Sequence, residues 1–287
     1  MARPLTQSSA APPPVRLELS GPRLAASLAR LAVSCEAGGG VEQYVRALEL
    51  KGDLFRSVLG QDGAAAAGVE PETLRILLPF MPTVRRRIAP WMERPAFEGL
   101  KADISRLLGV LRDNSGVDER LAAFGNGFCA AERPRWVRDL GAELLHQLAP
   151  ERFPMMTRWV WDGAANTGVL REIWFGGEDG VRIDVPDSYA AFLILREELS
   201  GFLTSKGVFR DLIRYVDLLC AQVYAEYICA QGGSYLRVDF SAEEDPSQYT
   251  RRLLGLDALG SAVHRALRDG EVGSGAARPS EPARMPE

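Results

Sequence analysis

Lysine, histidine, paired cysteines and long apolar runs are all scarce in this chain, and each scarcity closes off a class of function. Lysine stands only at Lys51, Lys101 and Lys206. The net charge of -4 and pI near 5.5 give no general excess of positive charge, which argues against a protein whose main task is neutralising phosphates. Histidine occurs only at His146 and His264, so a Ser–His or Cys–His nucleophile has two bases to draw on, and no Gly-x-Ser-x-Gly elbow leads into a helix. Cys35, Cys129, Cys220 and Cys229 lack the Cys-x-x-Cys spacing of zinc and iron-sulfur sites and read as core thiols of a reducing compartment. No stretch reaches the ~18–20 apolar residues of a bilayer span. The Pro- and Ser-rich start of the chain has no apolar segment of the secretory kind, so the expected place is the cytoplasm, away from membranes. Gly38–Gly40 and Gly176–Gly177 follow no strand-to-helix phosphate grammar, and no cofactor is expected.

What remains is a chain of 287 residues, 46% hydrophobic, with ample material for a core. Residues 1–14 and 271–287 are rich in Pro, Ala, Gly and Ser and are expected to be disordered tails. Between them, residues 15–270 read as a single helical domain, with a possible subdivision near 114–118 at Asp113-Asn114-Ser115-Gly116. Pro22, Pro71, Pro134 and Pro246 sit where first-turn prolines belong. The clearest helix runs from Val208 to about Gln231. Its apolar stripe, through Leu212, Val216, Leu219, Val223 and Tyr227, covers most of the circumference and predicts a place in the middle of a bundle. Amphipathic helices are predicted over 22–34, 41–59, 72–89, 96–113, 117–131, 134–148, 187–204 and 247–269, the last breaking near Gly255.

Alternation in Val181-Arg182-Ile183-Asp184-Val185, behind the turn-forming 176–180, predicts pairing with 170–175 as a β-hairpin at about 169–186. Tyr235–Phe240 alternates in the same way and reads as a short third strand. The fold class is therefore mainly α, a multi-helix bundle with a small β-hairpin insertion.

The densest chemistry lies just before that hairpin. Pro150–Asp162 packs Trp159 and Trp161 beside Arg158 and Asp162, and Arg171, Glu172 and Trp174 follow. Tryptophan anchors interfaces and stacks on rings, and a neighbouring guanidinium adds cation-π attraction. The same residues can also pack the joint between the helices and the hairpin. The strongest basic cluster is Arg85, Arg86 and Arg87, which on a helix fan out and form no single phosphate-tracking stripe. Glu143 and His146 form one Glu-x-x-His pair. A di-iron bundle needs two such pairs and two further glutamates, so His146 is expected to face solvent or a helix end and no metal is expected. The acidic residues Glu243, Glu244 and Asp245 precede Pro246 as helix-capping charge.

Phe124-Gly125-Asn126-Gly127, with Phe153-Pro154 downstream, resembles the Gly-x-Gly hairpin and Phe-Pro pair of helix-hairpin-helix DNA glycosylases. The resemblance implies a hairpin there that grips phosphates. The family's acid close behind Phe-Pro is replaced by Met155, Met156 and Thr157, and no lysine stands between Gly127 and Lys206. The expected function is that of a cytoplasmic accessory or adaptor protein, with no catalytic motif, binding a protein partner through the aromatic and arginine-bearing surface at 153–175. The alternative is a nucleic-acid or nucleotide-acting helical protein that stacks bases on Trp159 or Trp161 and meets phosphates with Arg85–Arg87.

Overall fold

Proline and glycine set the helix boundaries throughout the computed structural model, which describes residues 16–36, 38–113, 115–129, 133–176, 181–230 and 246–259. The helices are α1 Gly21–Glu36, α2 Val41–Leu59, α3 Pro71–Arg75, α4 Ala96–Leu108, α5 Val110–Asp113, α6 Val117–Ala123, α7 Trp136–Leu148, α8 Val169–Glu172, α9 Tyr189–Ser205, α10 Leu212–Ala230 and α11 Pro246–Leu253. Pro71 and Pro246 open their helices, where a missing N–H costs nothing. Gly255 ends the α11 region in the left-handed conformation, φ 69°, and the chain turns there as its sequence predicts. A Cβ at that position would lie 2.2 Å from the Phe80 carbonyl oxygen.

The predicted helix over 72–89 stops at Arg75. Pro79, Pro82 and Pro90 remove backbone donors and clash with carbonyls one turn back, so 76–93 proceeds as short turns, including 3-10 turns at Leu78–Phe80 and Ala89–Trp91. The predicted helix over 117–131 likewise ends at Ala123, where Phe124 is extended.

The β-hairpin expected at 169–186 is not formed, and among the described residues there is no β-strand. Val169–Glu172 instead makes one helical turn. The backbone beyond it pairs with the N-terminal segment: Ser20 donates to the Ile173 carbonyl at 2.8 Å and Phe175 donates to the Glu18 carbonyl at 2.7 Å. Residues 181–187 form neither helix nor strand, and side chains do for them what a partner strand would. Asn166, at φ 53°, donates through Nδ2 to the Val181 carbonyl and accepts from the Ile183 amide, and the Trp161 indole donates to the Val185 carbonyl at 3.0 Å. The two tails and the candidate strand at 235–240 lie outside the described residues.

One buried apolar cluster extends from Leu24 on α1 to Leu256. Helices from both sides of 114–118 share it, since α2 and α4 pack on α7. α10 lies against α1, α2, α8, α9 and α11, the central place its near-continuous apolar surface requires. Cys35, Cys129 and Cys220 are buried as expected, whereas Cys229 is exposed. No helix among the described residues is long and apolar enough to cross a membrane.

Candidate functional site

Among the described residues, helix α7 carries the most concentrated chemistry, and carries it inside. Of its thirteen residues only Arg138 is not buried. Asp139, Glu143, His146 and Gln147 recur at three- and four-residue steps, so they share one face, and that polar face points into the bundle. Each residue on it has a partner. Glu143 lies 3.2 Å from the Lys51 ammonium, which also donates to the Leu254 carbonyl at 2.8 Å. Gln147 donates to Glu143 at 3.4 Å. Asp139 accepts from the Arg158 amide at 3.0 Å and from Arg158 Nη2 at 2.8 Å. Burial pushes the Asp139 carboxyl above its usual range, against the opposing charge and hydrogen bonds of Arg158.

His146, expected at solvent or at a helix end, is 1% exposed. Its Nδ1 lies 2.9 Å from the Phe153 carbonyl and its Nε2 lies 3.0 Å from Asp217 Oδ2. A carbonyl oxygen only accepts, so Nδ1 carries hydrogen there, and Nε2 is engaged by the carboxylate. His146, Asp217 and Cys220 border one cavity of about 20 Å³, room for about one water. The trio has the residue types of a cysteine nucleophile with its base and orienting acid, but not the geometry. Both imidazole nitrogens are occupied and neither faces Cys220 free to take its proton. The Cys220 thiol is itself held protonated, chiefly by burial and then by the charge of Asp217.

The 153–175 stretch is wedged over this polar face. Trp161 is 1% exposed and Trp159 6%, so the rings expected at a surface are sealed inside. The physical reason is the joint they fill. Trp159 packs on Tyr224 of α10 with ring centroids 5.9 Å apart, and Trp161 reaches the 181–187 segment through its indole. Arg158 turns inward to Asp139. Asp162 is buried and accepts from the Ala165 amide at 3.0 Å, closing the 162–167 turn. Arg171, Glu172 and Trp174 are partly buried at the edge. The Glu172 carboxyl is raised by burial, opposed by Arg23 and Arg171. Burial and the neighbouring Tyr227 push the Tyr224 hydroxyl up to about 12. The structure thus buries Trp159, Trp161 and Asp162, holds Arg158 half-buried against Asp139, and leaves Phe175, beside Trp174, 65% exposed.

The basic triplet is elsewhere. Arg85 bonds Asp257 at 3.0 Å and the Pro79 carbonyl at 3.2 Å, while Arg86 and Arg87 are exposed. The Gly125 and Gly127 amides point at a carboxylate of the chain itself: Asp103 Oδ2 accepts from them at 3.1 and 2.8 Å, and Asp103 also pairs with Arg106. An internal acid therefore occupies the place that the hairpin resemblance gives to a phosphate. Among the described residues no three His, Cys, Asp or Glu side chains gather as a metal site, and Glu243–Asp245 lie outside those residues.

No family model, no curated protein and no solved structure matches this chain.

Sequence reasoning missed Lys51, Asp139, Asp217 and Tyr224 as partners of this interior network. One signal was available. Lys51 falls in the apolar register of α2, three residues after Leu48 and four before Phe55, and a lysine inside such a stripe requires a buried acid.

Proposed function

We propose that this chain is an accessory protein that binds a protein partner at the corner of the chain that carries Trp174 and Phe175. Arg158, Trp159 and Trp161 are the scaffold behind that corner. Phe175 carries the reading: its ring is 65% exposed although its amide is tied to the Glu18 carbonyl at 2.7 Å. An apolar ring on fixed backbone loses little entropy on docking, which suits it as an interface anchor. Val181, 43% exposed, follows a few residues on, and Arg171 and Glu172 supply the charged rim that partner surfaces commonly have.

The test is a photo-crosslinking amino acid placed at Phe175 in the cells that make the protein, with Phe209 as control because it is 71% exposed on the turn before α10. A discrete protein adduct at 175, absent at 209 and lost when Val181→Asp is added, is the expected result. Identical adducts at both positions, or none at 175, would refute the proposal.

A further inference from the structure

The ring of His146 lies between two oxygen atoms, and a neutral imidazole can satisfy only one of them. Nδ1 is 2.9 Å from the Phe153 carbonyl and Nε2 is 3.0 Å from Asp217 Oδ2. A neutral ring has one N–H and one lone pair. With its hydrogen on Nδ1 it turns the Nε2 lone pair on a carboxylate oxygen, and with its hydrogen on Nε2 it turns the Nδ1 lone pair on a carbonyl. Either clash falls in the interior, since the His146 and Asp217 side chains are 1% and 3% exposed. An imidazolium donates at both ends.

We propose that His146 is held as the imidazolium and that its second proton latches the 153–162 wedge to α10, one ring nitrogen holding the wedge at Phe153 and the other holding α10 at Asp217. Loss of that proton sets a lone pair against one of the two oxygens, and one of the two links must open. The groups around the ring favour the proton on nitrogen. Arg214 Nη1 lies 3.6 Å from the same Asp217 Oδ2, and a second cation beside a carboxylate favours its ionised form. Arg196 of α9 borders the same cavity but is turned to the Pro150 and Glu151 carbonyls. The Cys220 thiol stays protonated, and Glu143, one turn back on α7, is matched by Lys51 of α2. Among the described residues Asp217 is thus the acid that meets the ring. The latch is independent of the Phe175 corner, so either reading can fail without the other.

Nitrogen-15 magnetic resonance on the labelled full chain tests this. Histidine occurs only at 146 and 264, so His264→Gln leaves His146 alone in the histidine spectrum. At about pH 7.5, where a free histidine is about nine-tenths neutral, the expected result is an imidazolium signature with hydrogen on both ring nitrogens. Asp217→Asn supplies an amide that can donate to Nε2, so there the ring should be neutral with its hydrogen on Nδ1. Stability gives a second readout. A proton held by the folded chain and not by the unfolded one lowers the folding equilibrium constant by up to about tenfold per unit as pH rises. Between about pH 7.5 and 8.5 the wild type should lose about that much more than Asp217→Asn in urea unfolding. Cysteine titration is common to both chains, because burial rather than Asp217 is the chief influence on Cys220. A neutral ring in the wild type at about pH 7.5, an imidazolium that persists in Asp217→Asn, or equal pH slopes for the two chains would overturn the proposal. Should Asp217→Asn fail to fold, the wild-type spectrum decides alone.

Discussion

Replacing Lys51 by methionine is expected to destabilise the fold more than replacing Lys51 and Glu143 together. The two side chains are 0% and 2% exposed, and the ammonium lies 3.2 Å from Glu143 Oε2. Lys51→Met keeps an unbranched apolar stem and removes the charge. Among the described residues Glu143 is then left in the interior with only the Gln147 amide at 3.4 Å, and stranding one member of such a pair costs about 3–5 kcal/mol. Adding Glu143→Leu removes the stranded carboxylate. Exchange of a buried pair for apolar side chains is roughly neutral, so the remaining penalties are the Leu254 carbonyl, which loses its 2.8 Å donor at a cost of about 1–3 kcal/mol, and the buried Gln147 amide, which loses its long 3.4 Å acceptor at a smaller one. The double variant should therefore recover about 1–2 kcal/mol of what the single variant loses, a large share of an ordinary total of about 5–15 kcal/mol. Urea unfolding followed by far-ultraviolet circular dichroism measures both. A double variant as unstable as the single one, or a single variant that loses under about 1 kcal/mol, would refute the reasoning, the first because attraction rather than stranding dominates and the second because Glu143 is relieved by a proton or by water.

Three further outcomes are expected. Trp161→Phe should cost more than Trp159→Phe by about 1–2 kcal/mol in the same assay, because the Trp161 indole bonds the Val185 carbonyl whereas the Trp159 indole N–H has no acceptor among the described residues; equal losses would show that only ring volume counts. Asp103→Ala should lose about 2–4 kcal/mol by stripping the acceptor from the Gly125 and Gly127 amides, and a near-neutral result would mean water replaces the carboxylate there. Glu226 gives a pH dependence. Burial raises its carboxyl, but the hydrogen bonds from Arg30, Gln222 and Ser27 outweigh that and hold it below its usual 4.5. A depressed carboxyl adds stability above its unfolded-state value and loses it as pH falls through the folded one. The melting temperature of the wild type should thus drop below about pH 4.5 more steeply than that of Glu226→Gln, and parallel curves would contradict the assignment.

Much of the helical order was legible because it depends on local chemistry. α2 occupies the predicted 41–59, Pro246 opens α11 and Gly255 ends its region. The misread helix over 72–89 was also a local matter, since Pro79 and Pro82 stand inside it and outweigh the apolar spacing. The hairpin at 169–186 is a different kind of error. Alternation in Val181–Val185 marks Ile183 and Val185 as the buried side chains, which they are, but it does not say what pairs with the backbone, and the partners turned out to be the Asn166 amide and the Trp161 indole.

The interior network was hidden for a more general reason. Asp139, Glu143, His146 and Gln147 lie at helical spacing, and a polar stripe at that spacing reads as a solvated face. Periodicity reports which residues share a side of a helix; whether that side meets water depends on counter-charges elsewhere, here Lys51 on α2, Asp217 on α10 and Arg158 in the wedge. The dense aromatic and charged content of 153–162 carries the same ambiguity. Two indoles and a guanidinium suit a contact with an outside molecule and suit equally an internal joint whose guanidinium is matched by a buried acid. Asp139 decides between them: a carboxylate fixed on the inner face of α7 draws Arg158 inward, and the tryptophans on either side of Val160 follow the backbone that Arg158 anchors. The recognition surface is then left to the residues that this anchoring turns outward, beginning with Phe175.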